Sequence, residues 1–306
     1  MAAPTEHQRP AEAAVRPSRS RTWLLAIRPQ TLTAGLVPVV VGTALAARDG
    51  VSHGPAALAA LFGALFIQIG TNLFNDYEDF RRGADTAERL GPVRVTQRGW
   101  LTPRQVGRAS LLAFAAAIMT GVYLVVRAGW PLVALGLTSV ACGLAYTGGP
   151  LPLAYHGLGD LFVLLFFGLA AVCGTYYVQA FTVTGTTLWV SLAIGALATC
   201  ILIVNNLRDR ETDAKANKRT LAVRFGPSVA RFEYALMLAV AYAVPVGLAV
   251  QTGARGWLLP VATLPLALRE LWAVCSRDGA ALNPHLGGAA RVGLAFGLLL
   301  SIGANL

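Results

Sequence analysis

Long uncharged runs alternate with short charged segments along most of this 306-residue chain. The longest run, residues 161–207, holds 47 uncharged residues in succession. A membrane-spanning helix needs about 20 mostly apolar residues, so this run contains two spans that separate at the polar residues 182–187. The same criterion predicts nine spans, at residues 29–47, 55–76, 107–127, 129–146, 159–181, 187–207, 231–251, 256–275 and 287–305.

The composition agrees with an all-α integral membrane protein. Hydrophobic residues make up 55% of the chain and charged residues only 13%, whereas soluble domains carry about 25% charged residues. Residues 1–21 are rich in Ala, Pro, Arg and Ser, which predicts a disordered basic tail. Residues 22–306 are then one transmembrane domain. The eighth span contains Arg269 and Glu270, and we expect either that their charges pair or that the helix tilts.

The net charge of +10 is explained by membrane orientation and does not require a nucleic-acid partner. With nine spans and an inside N-terminus, 22 of the 25 Lys and Arg residues fall on the inside. Such a bias is what the positive-inside rule describes. We therefore expect a multi-pass protein of the cell membrane whose functional face is cytoplasmic, with the lipid bilayer as its partner and no nucleic acid.

Eight of the fifteen acidic residues form two clusters, each placed where an apolar span reaches the inside surface. The members of the first cluster are Asp76, Glu78, Asp79, Asp85 and Glu88, and those of the second are Asp209, Glu211 and Asp213. Amides precede each cluster at three- and four-residue steps, which places amide and acid on one helix face. Asn72 precedes Asp76 by four residues, as Asn205 precedes Asp209, so the two halves of the chain resemble a weak internal repeat.

Carboxylate and carboxamide oxygens without nearby His or Cys are typical ligands of Mg²⁺. In proteins Mg²⁺ binds through a few carboxylates together with substrate phosphates, and the neighbouring arginines and Lys218 suit phosphate oxygens. For a single cluster, solvated helix ends paired with arginines explain the pattern equally well. Two clusters, each aligned with amides near the hydrocarbon, favour a metal site for a phosphorylated lipid.

The motifs of this chain resemble those of a known family. Asn75-Asp-x-x-Asp79 with Asp85, and the later Asp209-x-x-x-Asp213, resemble the paired aspartate motifs of the UbiA-type membrane prenyltransferases. The stretches 75–97, 146–154 and 204–209 are similar to the branch of that family that acts on 1,4-dihydroxy-2-naphthoate. The resemblance covers about residues 23–306.

The resemblance implies nine helices around a central cavity, with polar caps over its inside mouth and a lateral opening towards lipid. It implies Mg²⁺-dependent transfer of a polyprenyl group from its diphosphate to dihydroxynaphthoate, with loss of carbon dioxide, in menaquinone biosynthesis. Two Mg²⁺ ions, one per acidic cluster, would neutralise the leaving diphosphate.

Residue roles follow from this implied reaction. The expected catalytic acids are Asp76, Asp79, Asp209 and Asp213. The expected metal ligands are these four with Asn75 and Asn205. The expected substrate-binding residues are Asn72, Asn75, Arg94, Gln97, Tyr146, Lys218 and Arg219. Tyr146, Tyr176 and Tyr177 are candidates to shield an allylic cation, Asp85 is a supporting acid or lid residue, and Asp160 is either a base or a helix cap.

Two alternatives remain open from the sequence alone. A UbiA-type enzyme can have a different acceptor, such as 4-hydroxybenzoate or homogentisate. A membrane transporter also carries internal repeats and polar groups within the membrane, but those groups should then lie near mid-membrane rather than at helix ends on one face. Prenyl chain length and oligomeric state cannot be read from the sequence.

Overall fold

The computed structural model describes residues 17–83, 90–91, 93–150 and 152–306, and within them all of the regular structure is helical. The acids Asp85 and Glu88, and residues 1–16 of the predicted tail, lie outside the described residues. The first described helix begins at Arg19, so the end of the predicted tail is helical. In chain order the helices are α1 Arg19–Ile27, α2 Pro29–Arg48, α3 Gly54–Arg81, α4 Pro103–Ala128, α5 Pro131–Ala145, α6 Gly159–Ala180, α7 Gly185–Arg208, α8 Arg210–Lys215, α9 Leu221–Thr252, α10 Arg255–Ser276 and α11 Gly279–Gly303, with a 3₁₀ turn at Leu153–His156.

The predicted membrane architecture is confirmed in its class. Eight helices of the described chain are long and apolar enough to cross a membrane, and each overlaps one predicted span. The span predicted at 129–146 corresponds to α5, an apolar helix of 15 residues, which is shorter than the usual length of a transmembrane helix.

Polar side chains define where several of the helices begin. His53 accepts a hydrogen bond from the Ala56 amide at the start of α3, and Thr184 accepts one from Thr187 at the start of α7. At α4, Thr102 and Gln105 form a reciprocal capping box. Such caps satisfy amide groups that a helix leaves without partners in its first turn.

Several observed boundaries differ from the predicted ones, two of them near the acidic clusters. Helix α3 continues to Arg81, five residues beyond the predicted limit, so the first acidic cluster begins within its last turns. Helix α9 begins at Leu221 instead of 231, because a short helical stretch precedes a non-helical residue, Gly226, at φ 82°. A glycine tolerates this conformation, and Pro227 then restarts the helix.

Helix α7 is the centre of the bundle. Buried residues make up 72% of its most apolar segment, compared with 22–50% in the other spans. It packs against α2, α6, α9 and α11. Gly168 of α6 and Gly195 of α7 allow the two backbones to approach closely, since a Cβ on Gly168 would lie 2.5 Å from the Ser191 carbonyl oxygen. Small residues commonly permit such contacts between membrane helices.

Glu270 has a different partner from the one expected. Its carboxylate is fully buried, and Oε2 lies 2.5 Å from His285 Nδ1 at the start of α11. Arg269 Nε is 3.8 Å from Oε1, and the Arg269 side chain is 65% exposed. The buried carboxylate of Glu270 therefore lies closer to His285 of the following helix than to the neighbouring Arg269.

The contact between α6 and α7 generates a stability prediction. Gly168→Ala places a methyl group against the Ser191 carbonyl, and overpacking of this kind costs about 1–3 kcal/mol. Gly247→Ala is the matched control, because a Cβ at Gly247 meets nothing within 4 Å. We expect a lower Tm for Gly168→Ala and an unchanged or slightly raised Tm for the control, measured by thermal unfolding in detergent. Equal Tm values for the two variants would contradict this packing account.

Candidate active site

One cavity of about 640 Å³ lies between α2, α3, α4, α5, α6 and α7. Its charged lining residues lie at or beside the helix ends that face the predicted inside surface. Away from those ends the lining is mostly apolar, with Phe162, Phe166 and Phe167 of α6. Several lining residues of α4 and α5, among them Val126 and Leu137, are also strongly exposed. The cavity is therefore open on the side of α4 and α5, among the apolar spans.

The first acidic cluster reaches the cavity through Asn75 and Asp79. Arg94 Nη2 donates to Asp79 Oδ2 at 2.8 Å, and the Tyr155 hydroxyl donates to Oδ1 at 3.4 Å. The Asn75 carbonyl oxygen accepts from the Thr147 hydroxyl at 2.7 Å. Both side chains are thus fixed by partners on loops that follow α3 and α5.

Asn72 and Asp76 form hydrogen bonds to neighbouring segments of the chain. The Asn72 amide lines the cavity and donates to the Ile27 carbonyl and to the Thr31 hydroxyl, both at 2.8 Å. Asp76 is only 1% exposed, accepts a hydrogen bond from the Thr96 hydroxyl, and is not among the residues that line the cavity. Metal binding by Asp76, which the motif suggested, stays a prediction.

The second acidic cluster presents Asn205, Asp209 and Asp213 to the same cavity. The guanidinium of Arg208 binds both oxygens of Asp209, at 2.8 and 2.6 Å, and also donates to Asn205 Oδ1 at 2.6 Å. Asn206, the neighbour of Asn205, points to Asp160 instead and donates to its carboxylate at 3.3 Å. The two acidic helix ends therefore meet at one shared space, as the sequence predicted.

The electrostatics link the two clusters. Burial raises the pKa of Asp213, Lys218 lowers it, and the charges of Asp209 and Asp79 raise it further. Burial lowers the pKa of Lys218, but Asp213, Asp79 and Asp209 outweigh burial and raise it. Lys218 is therefore protonated at neutral pH. An acid of the first cluster thus lies within electrostatic reach of both groups of the second.

The structure separates the expected substrate-binding residues into two groups. Arg94, Lys218 and Tyr146 line the cavity. Gln97 does not line it, and the Arg219 side chain is exposed to solvent.

Two of the three tyrosines proposed as cation shields lie elsewhere. The Tyr176 hydroxyl donates to Asp49 at 2.7 Å, near the opposite end of the bundle, and the Tyr177 hydroxyl donates to the Ala128 carbonyl. Neither lines the cavity. Adjacent residues of a helix point in different directions. The positions of Tyr176 and Tyr177 in the sequence therefore did not determine whether either side chain faces the cavity.

Sequence reasoning missed several residues of the site. Arg28 lines the cavity from the junction of α1 and α2, where its backbone is left-handed at φ 57°. Phe162 and Phe166 stack with ring centroids 5.9 Å apart on the cavity wall. The four-residue spacing of this pair was the signal available, although it is also common in packed helices. Tyr155 and Thr147 carry no spacing signal, because they lie on loops.

The donor set fits a divalent cation that is shared with a ligand. Among the described residues, no group of three or more His, Cys, Asp or Glu side chains converges to hold a metal alone. Carboxylate and amide oxygens nevertheless reach the cavity from both clusters. Asp213 Oδ2 is buried and, within the described chain, makes no hydrogen bond, although it lies 3.2 Å from Lys218 Nζ. Such a set suits Mg²⁺, which completes its coordination with water and phosphate oxygens.

Related proteins align with this chain over most of its length. A 1,4-dihydroxy-2-naphthoate octaprenyltransferase of Mycobacterium tuberculosis is 41% identical over 266 residues, which cover 86% of this chain and 90% of that protein. Enzymes of the same name from Bacillus subtilis and Escherichia coli are 40% identical over 239 residues and 35% identical over 294 residues. These alignments cover 78% and 94% of this chain, and 76% and 96% of the respective relatives.

Solved structures share the fold. A UbiA homolog from Aeropyrum pernix K1, in its apo form, superposes with a TM-score of 0.69 at 15% identity, over 90% of this chain and 98% of that one. A UbiA homolog from Archaeoglobus fulgidus, bound to GPP and Mg²⁺, gives a TM-score of 0.66 at 17% identity, over 92% of this chain and all of that one.

The sequence profile of the UbiA prenyltransferase family matches residues 35–283, a range that includes both acidic clusters and most of the cavity lining. This chain therefore belongs to the UbiA prenyltransferase family.

Proposed function

We propose that this protein transfers a polyprenyl group from polyprenyl diphosphate to 1,4-dihydroxy-2-naphthoate, with loss of carbon dioxide, in menaquinone biosynthesis. The relatives named for this activity align over most of the chain at 35–41% identity. The structural observation that carries the proposal is one cavity in which two acidic helix ends face each other and an apolar chamber continues from them. A lipid diphosphate has the same division between a charged head and an apolar tail.

The residues at the polar end match the needs of a diphosphate with Mg²⁺. Asn75 and Asp79 would hold one ion, and Asn205, Asp209 and Asp213 would hold the other. Bound Mg²⁺ would neutralise the charge that develops on the leaving diphosphate. The Archaeoglobus homolog, which binds GPP together with Mg²⁺, supports this pairing of ligand and ion.

The protein's own cations and buried acids complete the head-group site. Arg94 and Lys218 present their charges to the phosphate oxygens from opposite clusters. We assign Asp76 a supporting role, because it bonds to Thr96 and so holds the segment that carries Arg94. Gln97 and Arg219 receive no direct substrate contact in this proposal, since neither lines the cavity.

In this proposal the apolar part of the cavity surrounds the carbon that reacts. The allylic C–O bond breaks and its electron pair leaves with the diphosphate. The chamber excludes nucleophilic water, and the faces of Tyr146, Phe162 and Phe166 border it, where aromatic rings attract a cation. The electron-rich ring of the acceptor then forms the new C–C bond. The carboxylate leaves as carbon dioxide, and its bonding electrons remain with the ring.

The location of the reaction follows from charge and helix polarity. The site lies at the helix ends that the positive-inside rule assigns to the cytoplasm. We therefore propose that the enzyme works in the cell membrane and takes its aromatic acceptor from the cytoplasmic side, with the prenyl tail entering sideways from the bilayer between α4 and α5.

Removal of one charge from either cluster tests the two-cluster mechanism. We expect Asp79→Asn and Asp209→Asn each to lower kcat about 100-fold or more, because each weakens stabilisation of the departing diphosphate. Glu211→Gln is the matched control, since this acid belongs to the second cluster but its side chain is 81% exposed. The measurement is prenyl transfer by purified protein with Mg²⁺, and again after chelation with EDTA. Full activity in EDTA, or equal losses in all three variants, would refute the metal-bridged head-group site.

The acceptor is tested separately. Membranes containing the protein receive labelled prenyl diphosphate together with dihydroxynaphthoate, 4-hydroxybenzoate or homogentisate. We expect labelled product and released carbon dioxide with dihydroxynaphthoate alone. Prenylation of only another acceptor would retain the family assignment and overturn this substrate.

A further inference from the structure

The buried guanidinium of Arg208 organises the second acidic cluster. Its side chain is 0% exposed at the end of α7, and it binds Asp209 through two nitrogens and Asn205 through one of them. A guanidinium carries five N–H donors in a fixed plane, so each partner fixes the direction of the others. Arg208 itself does not line the cavity, which makes it a positioning residue for two cavity-lining side chains.

Asn283, at the start of the helical part of α11, holds the remaining edge of this guanidinium. Arg208 Nη1 donates to Asn283 Oδ1 at 3.3 Å, and Asn283 Nδ2 donates to the Leu90 carbonyl at 2.8 Å. The same segment packs against Arg208, because a Cβ on Gly91 would lie 2.5 Å from Nη2. One asparagine therefore joins the second acidic helix end to the segment between α3 and Arg94.

The corner that carries Asn283 is itself firmly held. Two residues further on, His285 contacts the fully buried Glu270 of α10 at 2.5 Å, and His285 Nε2 lies 2.8 Å from Arg277 Nη1. Gly288 leaves the space for this contact, since a Cβ there would approach Glu270 Oε2 to 2.3 Å. Side chains far from the cavity thus fix the position from which Asn283 reaches Arg208.

We propose that Asn283 is a positioning residue for the diphosphate site: by accepting a hydrogen bond from Arg208, it sets the placement of Asp209 and Asn205. This inference rests on the proposed function. It predicts that loss of Asn283 weakens binding of the head group with its metal and leaves the affinity for the aromatic acceptor unchanged.

The test uses the full-length protein in detergent. Binding of inorganic pyrophosphate in the presence of Mg²⁺ is measured by calorimetry. For Asn283→Ala we expect an apparent Kd for pyrophosphate that is raised about fivefold to tenfold, the scale of one hydrogen bond to a charged group. In turnover assays the KM for prenyl diphosphate should rise similarly, and the KM for the acceptor should not change.

Asn305→Ala is the matched control. Asn305 lies just beyond the other end of α11, and its amide donates to the Ala44 and Ser301 carbonyl oxygens at 3.1 and 2.9 Å. It shares the helix but has no link to the site, so its variant should bind pyrophosphate as the wild type does. Asn283→Asp is the rescue variant, because it keeps an oxygen for Arg208 and removes the donor to Leu90; we expect its Kd to lie near that of the wild type.

The outcomes distinguish this inference from the function on which it rests. Wild-type binding by Asn283→Ala, in a protein whose wild type binds Mg²⁺–pyrophosphate and turns over, would overturn the positioning role and leave the function intact. If Asn283→Ala unfolds, the Asn283→Asp variant decides: a Kd raised as much as tenfold there also overturns the role of the Arg208 contact. Absence of both binding and turnover in the wild type would overturn the proposed function and this inference together.

Discussion

The structure depends on the neutralisation of carboxylates that are buried where its helix ends meet the cavity. An acid with no counter-charge in such a place costs several kcal/mol, so each acid of the cavity has a basic partner. The pairs are Asp79 with Arg94, Asp209 with Arg208 and Asp213 with Lys218. These pairs allow the protein to fold with a concentration of negative charge in one space.

The cavity lies beside the most enclosed helix of the bundle. Helix α7 is surrounded by α2, α6, α9 and α11, and the Gly168–Gly195 contact brings α6 and α7 together at backbone distance. Helix α4 packs closely against α3, and large apolar residues of α4 and α5 are both exposed and part of the cavity lining. The enclosed helix α7 therefore gives a fixed position to Asp209 at its end, and α4 and α5 give the cavity an apolar, exposed wall.

Hydropathy and charge were sufficient to predict the membrane helices and the convergence of two acidic clusters. These features depend on period and composition, which act locally along the chain. The contributions of Arg28, Tyr155 and Phe166 were not predictable in this way, because they depend on where loops and neighbouring helices place a side chain. Asp76 shows the same dependence on the fold: the hydrogen bond that its carboxylate accepts comes from Thr96, twenty residues later in the chain, and its role as a metal ligand stays a prediction.

The three ion pairs also differ in how readily each can give up its acid to a metal ion. Lys218 reaches Asp213 with a single flexible ammonium group, and Asp213 Oδ2 makes no hydrogen bond among the described residues. Arg208 instead binds both oxygens of Asp209 and is itself held by other side chains. A bidentate, fully buried pair is harder to separate than a pair with one flexible partner. Asp213 is therefore the acid whose oxygen is readiest for a cation, whereas Asp209 contributes from a position that the surrounding helices have already fixed.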